Sequence, residues 1–119
     1  MFHQRLSELS GPTLHREILV GGDLLDDKLD QRTDWYAYAF GDISSINRNA
    51  LSIISRRYRY CRSGLRGTNY KNTLKLALKA DSLDPNTSHP YMKFLSEGGA
   101  DCQYMFKNKR LKQWINQVS

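Results

Sequence analysis

The sequence contains no aspartate or glutamate between residues 43 and 80, although nine arginine and lysine residues fall in that segment. Residues 1–42 have four basic and eight acidic side chains, and residues 81–119 have five basic and four acidic ones. The three net charges of −4, +9 and +1 sum to the +6 of the whole chain. Exposed salt bridges typically stabilise a fold by less than ~1 kcal/mol, so stability alone gives little reason to exclude acids from one segment. This segregation indicates a surface that binds an anionic partner.

The chain also lacks a long hydrophobic run, and no segment approaches the roughly twenty apolar residues that a bilayer span requires. Its first ten residues mix charged and apolar side chains and do not resemble a secretory signal. These absences predict an intracellular, cytoplasmic protein with no membrane partner. Of its two cysteines, Cys61 and Cys102, neither has a neighbour at metal-ligand spacing, and we expect both to be reduced. A Cys61–Cys102 disulfide is the alternative.

Complete catalytic and cofactor motifs are absent as well. His3, His15 and His89 share no motif, so an acid-base role for any of them has little support. The four aspartates between residues 23 and 30 have the spacing of a solvated acidic helix more than that of converging magnesium ligands. The glycine-containing loops lack the patterns that cradle phosphates. We therefore expect no catalytic residue, no metal and no cofactor, and a binding protein more than an enzyme.

The length and composition predict one folded domain. We expect a mainly α, compact, single-domain helical protein. A short strand element near residues 34–41 makes α+β the alternative class. The single domain, residues 1–119, divides into an acidic N-terminal part (1–42), a basic helical part (43–80) and C-terminal helices (88–119).

Hydrophobic periodicity predicts the elements of the acidic part. Residues 2–9 have apolar positions at helical spacing, and residues 14–22 favour a helix slightly over a strand. Residues 23–32 indicate another helical turn or two, with Asp23 as its cap. Residues 33–42 are rich in aromatics and are the clearest strand candidate in the chain.

Helical geometry, with Ser44 or Ser45 as the cap, predicts an amphipathic helix over residues 45–62. Its apolar side is formed by Ile46, Ala50, Ile53, Ile54 and Cys61. Its opposite side presents Arg48, Arg56, Arg59 and Arg62. Arg57 alone falls among the apolar positions, where we expect its stem to lie along a neighbour or its guanidinium to pair with an acid from the N-terminal part.

A second basic helix is predicted over residues 69–80, after two glycines that should end the first one. Its lysines Lys71, Lys75 and Lys79 recur every four residues and form a stripe.

Two more helices are predicted near the C-terminus. The first has Ser88 as its cap and Pro90 in its first turn, and it ends at the glycines at 98 and 99. The second is defined by an apolar side of Leu111, Trp114, Ile115 and Val118. A smaller basic cluster precedes Trp114 and consists of Lys107, Lys109, Arg110 and Lys112.

Residues 72–101 resemble one degenerate ankyrin repeat. The matching positions are Thr73, Leu74, Leu76 and Ala77 in a first helix and Phe94, Leu95, Gly99, Ala100 and Asp101 in a second. The match covers about a quarter of the chain, lacks the usual proline before the first leucine and has an insertion between the helices. The similar stretch upstream lies 23 residues earlier, where stacked repeats need about 33. The resemblance implies helices that need neighbours to pack on, and a protein-binding surface.

The basic segment has one interpretation without a function, in which its helix faces are exposed to solvent and the acidic part balances their charge. It also has three functional interpretations. The first is a non-enzymatic protein that binds nucleic acid, RNA or DNA, because arginine forks grip phosphates and tyrosines stack on bases. The second is a protein-interaction module or inhibitor, of the kind that phage and mobile elements encode, that binds an acidic partner surface. The third is a small ribonuclease or toxin. The candidate binding residues are Arg48, Arg56, Arg59, Arg62, Arg66, Lys71, Lys75, Lys79, Tyr58 and Tyr60.

Overall fold

Residues 11–29 of the acidic part form one long helix in a computed structural model, which describes residues 3–118. This helix, α1, consists of the segments Gly11–His15, Arg16–Val20 and Gly21–Leu29, of which the middle one is π-helical. Pro12 lies in its first turn, where its missing N–H costs nothing, and Asp30 ends it in the left-handed conformation with φ of 50°. The preference for helix at residues 14–22 is confirmed. The cap at Asp23 is wrong, because the helix begins twelve residues earlier and runs through that position.

The N-terminal helix predicted over residues 2–9 is reduced to one 3₁₀ turn, Leu6–Glu8, and Phe2 lies outside the described residues. Leu6 is buried there, as its helical spacing indicated. The strand predicted over residues 33–42 is confirmed for Trp35–Ala37, which is strand β1. Beyond it, Phe40 and Gly41 both have positive φ, so the backbone turns before it can extend the pairing.

The first basic helix is shorter than predicted. Helix α2 spans Arg48–Arg57, and its cap is Asn47, whose side chain accepts a hydrogen bond from the amide of Ala50 at 2.9 Å. The serines proposed as the cap lie in a 3₁₀ turn, Ile43–Ser45. After Arg57 the chain extends into strand β2, Tyr60–Arg62, which pairs with β1 in parallel. The helical prediction for residues 58–62 is therefore wrong, because pairing with a distant strand satisfies the backbone groups that a helix would have satisfied locally.

Residues 69–80 are not helical either, so the prediction of a second basic helix is wrong. Residues 75–80 instead run along the other edge of β2, where the amide of Leu78 donates to the carbonyl of Cys61 at 3.0 Å. The side chain of Asn69 hydrogen-bonds both the amide and the carbonyl of Lys79, at 2.9 Å each. These bonds hold the segment as a loop folded onto the sheet.

The two C-terminal helices are confirmed. Helix α3 spans His89–Ser96 after Ser88, with Pro90 in its first turn, and Gly98 follows it with φ of 84°. Helix α4 spans Met105–Val118 after a 3₁₀ turn, Asp101–Tyr104. Its predicted apolar side packs inward, with Leu111 and Ile115 buried.

One hydrophobic core joins all of these elements except α3. Ile18 of α1, Leu51 and Ile54 of α2, Cys61 of β2 and Leu111 of α4 are each at most 1% exposed and belong to one cluster. Helix α2 lies at its centre, since it connects the two strands and packs on both α1 and α4. The described chain is a compact, mainly α fold with a two-stranded parallel sheet.

Candidate nucleic-acid interface

One face of the small sheet is turned to solvent and carries two stacked aromatic rings. Trp35 of β1 pairs directly with Tyr60 of β2, and Ala37 pairs with Arg62 on the same face. The rings of Trp35 and Tyr60 lie 4.5 Å apart between centroids, with an angle of 19° between their planes. Trp35 is 60% exposed, so one face of its indole rests on Tyr60 and the other meets solvent. We call these two rings the aromatic platform.

Two cations lie beside the Tyr60 ring of the platform. The guanidinium of Arg59 lies 5.4 Å from the centroid of the Tyr60 ring, and the ammonium of Lys75 lies 5.8 Å from it. Arg62 is exposed two residues further along β2. The carboxylate nearest to Trp35 in the chain, that of Asp34, is paired with Arg32 at 3.3 Å. The platform therefore combines π-surface with positive charge.

The opposite face of the sheet is apolar and holds its titratable groups neutral. Tyr36 and Cys61 are paired there, and Tyr38 follows with its ring in the core. Burial raises the pKa of both tyrosines, and it raises the pKa of the Cys61 thiol to about 12. A neutral, packed underside makes the sheet a rigid support for the platform.

Tyr58 and Tyr60 end on opposite sides of the sheet because the chain is irregular between them. The amides of Arg59 and Tyr60 both donate to the carbonyl of Asp34, at 3.0 Å each, so two residues oppose one. Tyr58 consequently enters the core, where its hydroxyl donates to the carbonyl of Ile18 at 2.8 Å. Tyr58 is buried and has no face accessible to a base, so of the two proposed stacking residues only Tyr60 belongs to the interface.

Arg57 connects the basic segment to the acidic helix α1 through ion pairs. Two expectations for this residue follow from the sequence, and the pairing of its guanidinium with an acid of the N-terminal part is the one observed. Its guanidinium lies 2.6 Å from Asp26 and 3.1 Å from Asp23, both on α1. Burial opposes the charge of Arg57, but these hydrogen bonds outweigh that cost and raise its pKa. Asp26 also accepts hydrogen bonds from the hydroxyl and amide of Thr33, which lower the pKa of its carboxyl.

The other candidate residues do not form one continuous face. Arg48 is exposed at the start of α2 and donates to Gln117 of α4 at 3.0 Å. Arg56 lines a concave surface together with the aspartates of α1, and their negative charges offset its positive charge. Arg66 is half-buried, lies 3.4 Å from Asp81 and donates to the carbonyl of Ser82 at 2.9 Å.

The lysines of residues 69–80 are dispersed because the segment is not a helix. Lys71 is exposed, and Lys75 reaches the platform. Lys79 is half-buried and donates to the carbonyl of Thr68 at 3.2 Å. Of the ten candidates, the structure brings together Tyr60, Arg59, Arg62 and Lys75.

No protein-family model matches the chain, and neither a curated protein nor a solved structure does. Among residues 3–118, no helix has the length and apolarity to cross a membrane. In the same range, no three or more His, Cys, Asp or Glu side chains gather as a metal site. Within residues 72–101, which resemble an ankyrin repeat in sequence, residues 75–77 form a turn and His89–Ser96 form α3, and the resemblance stays a prediction.

Proposed function

We propose that this protein binds single-stranded nucleic acid through the aromatic platform and its cations. The observation that carries the proposal is the stack of Trp35 on Tyr60 beside two cations, Arg59 and Lys75, on a solvent-facing sheet surface. Aromatic rings accept any base, since every base has a π-face, and nearby cations neutralise the phosphates. A base laid on the free face of Trp35 continues the stack. Bases within a duplex are already stacked, so the platform favours single strands.

The number of cations predicts how binding depends on salt. Three exposed or platform-contacting cations, Arg59, Arg62 and Lys75, allow about three phosphate contacts. For a single strand that contacts the platform alone, the logarithm of the binding constant should then fall with the logarithm of salt concentration with a slope of roughly −2.

Fluorescence anisotropy with labelled single-stranded RNA, single-stranded DNA and duplex DNA, at two salt concentrations, tests the proposal. The variant Arg59→Glu/Lys75→Glu should lose salt-sensitive binding. The control Arg16→Glu/Lys93→Glu makes the same change of charge at two exposed positions of α1 and α3 and should retain binding. Absence of binding by the wild type at low salt would contradict the proposal, and so would equal loss in both variants.

A protein partner is the second candidate function, and a different surface supports it. Val20 and Leu24 of α1 lie four residues apart on one side of the helix, and each is about half exposed, beside the exposed acids Asp23 and Asp27. Exposed apolar side chains that adjoin on one side of a helix are typical of a surface that packs against another protein. Such binding should survive nuclease and moderate salt, and it should be lost in Val20→Ser/Leu24→Ser while the platform variant retains it.

A further inference from the structure

A second concave surface lies between the loop of residues 70–79 and helix α4. It is a groove of about 290 Å³, with Tyr70 at its edge and Lys79, Lys109 and Lys112 in its lining. Its lining contains no carboxylate. We call it the lysine groove. None of its lining residues belongs to the predicted helix of residues 45–62 or to the aromatic platform.

Two of its lysines are free to bind a ligand. Lys109 and Lys112 are both exposed on α4, three residues apart, so they lie on the same side of the helix. Within residues 3–118, neither forms a salt bridge or side-chain hydrogen bond, whereas Lys107 on the same helix is paired with Asp42 at 2.8 Å. Unpaired ammonium groups in a groove without acids attract an anion, and phosphate is the anion that a nucleic acid supplies.

Tyr70 gives the lysine groove a stacking surface. Its ring is 68% exposed, while its backbone is fixed by bonds to Thr73, including a 2.7 Å hydrogen bond from its amide to the threonine hydroxyl. An exposed ring on a fixed backbone can accept a base at little entropic cost. The groove thus repeats the composition of the platform, an aromatic ring beside cations.

The loop of residues 70–79 links the two surfaces. Lys75 extends from this loop to the Tyr60 ring, and its neighbours Leu74 and Ala77 line the lysine groove. A strand that leaves the platform past Lys75 crosses the loop and meets the groove. We propose that the lysine groove is a second contact for the same single strand, with Lys109 and Lys112 on phosphates and Tyr70 under a base. This inference rests on the proposed function and deepens it, because it defines the ligand as a single strand long enough to contact both surfaces.

Oligonucleotides of two lengths test the inference by anisotropy. A 16-nucleotide strand, at roughly 3.4 Å per stacked nucleotide, exceeds the 44 Å long dimension of the protein, and a 4-nucleotide strand does not. Lys109→Glu/Lys112→Glu should weaken binding of the 16-mer by about tenfold or more at low salt, because two phosphate contacts are lost. Its affinity for the 4-mer should change by no more than about twofold, because the platform remains intact. Tyr70→Ser, which changes no charge, should also weaken binding of the 16-mer selectively.

The controls separate this inference from the proposed function. If the groove variant binds the 16-mer as tightly as wild type while Trp35→Ala loses it, the groove inference is overturned and the platform stands. Loss in the groove variant without loss in Trp35→Ala would overturn the platform, and with it the inference that the groove is a second contact for a strand bound there. No binding of either strand by the wild type would overturn both. Equal loss in Arg16→Glu/Lys93→Glu would show that overall charge, not the groove, determines affinity. Circular dichroism and thermal unfolding of each variant verify that it is folded.

Discussion

Trp35 and Tyr60 lie directly opposite each other on two parallel strands, and their rings stack at 4.5 Å although 25 positions separate them in the chain. Helix α2 occupies the connection, as a parallel pair requires, and its burial in the core fixes the register of the two strands. The pair is both a structural contact and an exposed surface. Substitutions of Trp35 therefore separate stability from binding.

Trp35→Ala should weaken binding of a single strand far more than it weakens the fold. Loss of one stacked base costs ~1–3 kcal/mol, or roughly 5- to 150-fold in affinity. The free energy of unfolding should fall by only about 1 kcal/mol, because the indole is largely exposed and loses one aromatic contact. Anisotropy and urea unfolding measure the two effects. Trp35→Phe keeps a ring and should retain most of the affinity, and a Phe variant as weak as Ala would contradict stacking.

Gly41→Ala should destabilise the protein much more than Gly11→Ala, although both glycines have positive φ. A methyl group at Gly11 meets no atom within 4 Å, so only the left-handed conformation costs energy, about 1–2 kcal/mol. A methyl group at Gly41 would lie 2.5 Å from the backbone nitrogen of Gly64, whose amide donates to the carbonyl of Gly41. Backbone cannot move aside as a side chain can, so we expect a loss of about 3 kcal/mol or more. Urea unfolding gives both values, and equal losses would contradict this packing argument.

Local sequence patterns predicted the elements whose contacts are local. The side of α4 with Leu111 and Ile115 follows a 3.6-residue period, and Pro90 and Gly98 mark the ends of α3. The placement of Arg57 against an acid was also predictable, because an arginine on an apolar helix side needs a partner.

The aromatic platform was not predictable from local patterns. Its pairing register depends on how α2 packs on α1 and α4, which no short window contains. A partial signal existed, since residues 57–60 alternate arginine and tyrosine as a strand can, although the irregularity at Arg59 and Tyr60 then places Tyr58 and Tyr60 on opposite sides of the sheet. The helical interpretation of residues 45–62 obscured that signal. Trp35 lies within the strand predicted over residues 33–42, but no local pattern marks it as a binding residue.

The two cysteines should differ strongly in reactivity. Cys102 is exposed, whereas Cys61 is fully buried between β1 and residues 75–80, and burial raises its thiol pKa to about 12. An aromatic disulfide reagent at pH 8 should therefore titrate one thiol rapidly in the native protein and two after denaturation. Cys102→Ser should abolish the rapid phase. Two thiols reacting at the same native rate would contradict the burial of Cys61, and none reacting after denaturation would indicate a disulfide.

Asp26 should make the stability of the protein sensitive to acid. Hydrogen bonds from Thr33, and then the guanidinium of Arg57, lower the pKa of its carboxyl from the ordinary value of 3.8. A carboxyl whose native pKa is lowered stabilises the fold at pH values above its unfolded pKa. That contribution is lost as the pH falls through the lower, native pKa. Asp26→Asn should therefore be less stable than wild type at pH 7, and the difference between them should shrink below about pH 4.

Unfolding by urea at a series of pH values measures this difference, with Asp27→Asn as the matched control. Asp27 lies on the same helix and is exposed, and it makes no hydrogen bond with Thr33 or Arg57. Its substitution removes the same charge from α1, so any general effect of helix charge appears in both variants. A free-energy difference for Asp26→Asn that stays constant from pH 7 to pH 3 would contradict the lowered pKa. Asp26 connects α1 to both Thr33 and Arg57, whereas Asp27 connects it to neither. The same pH dependence in Asp27→Asn would therefore assign the effect to the charge of the helix and not to these hydrogen bonds.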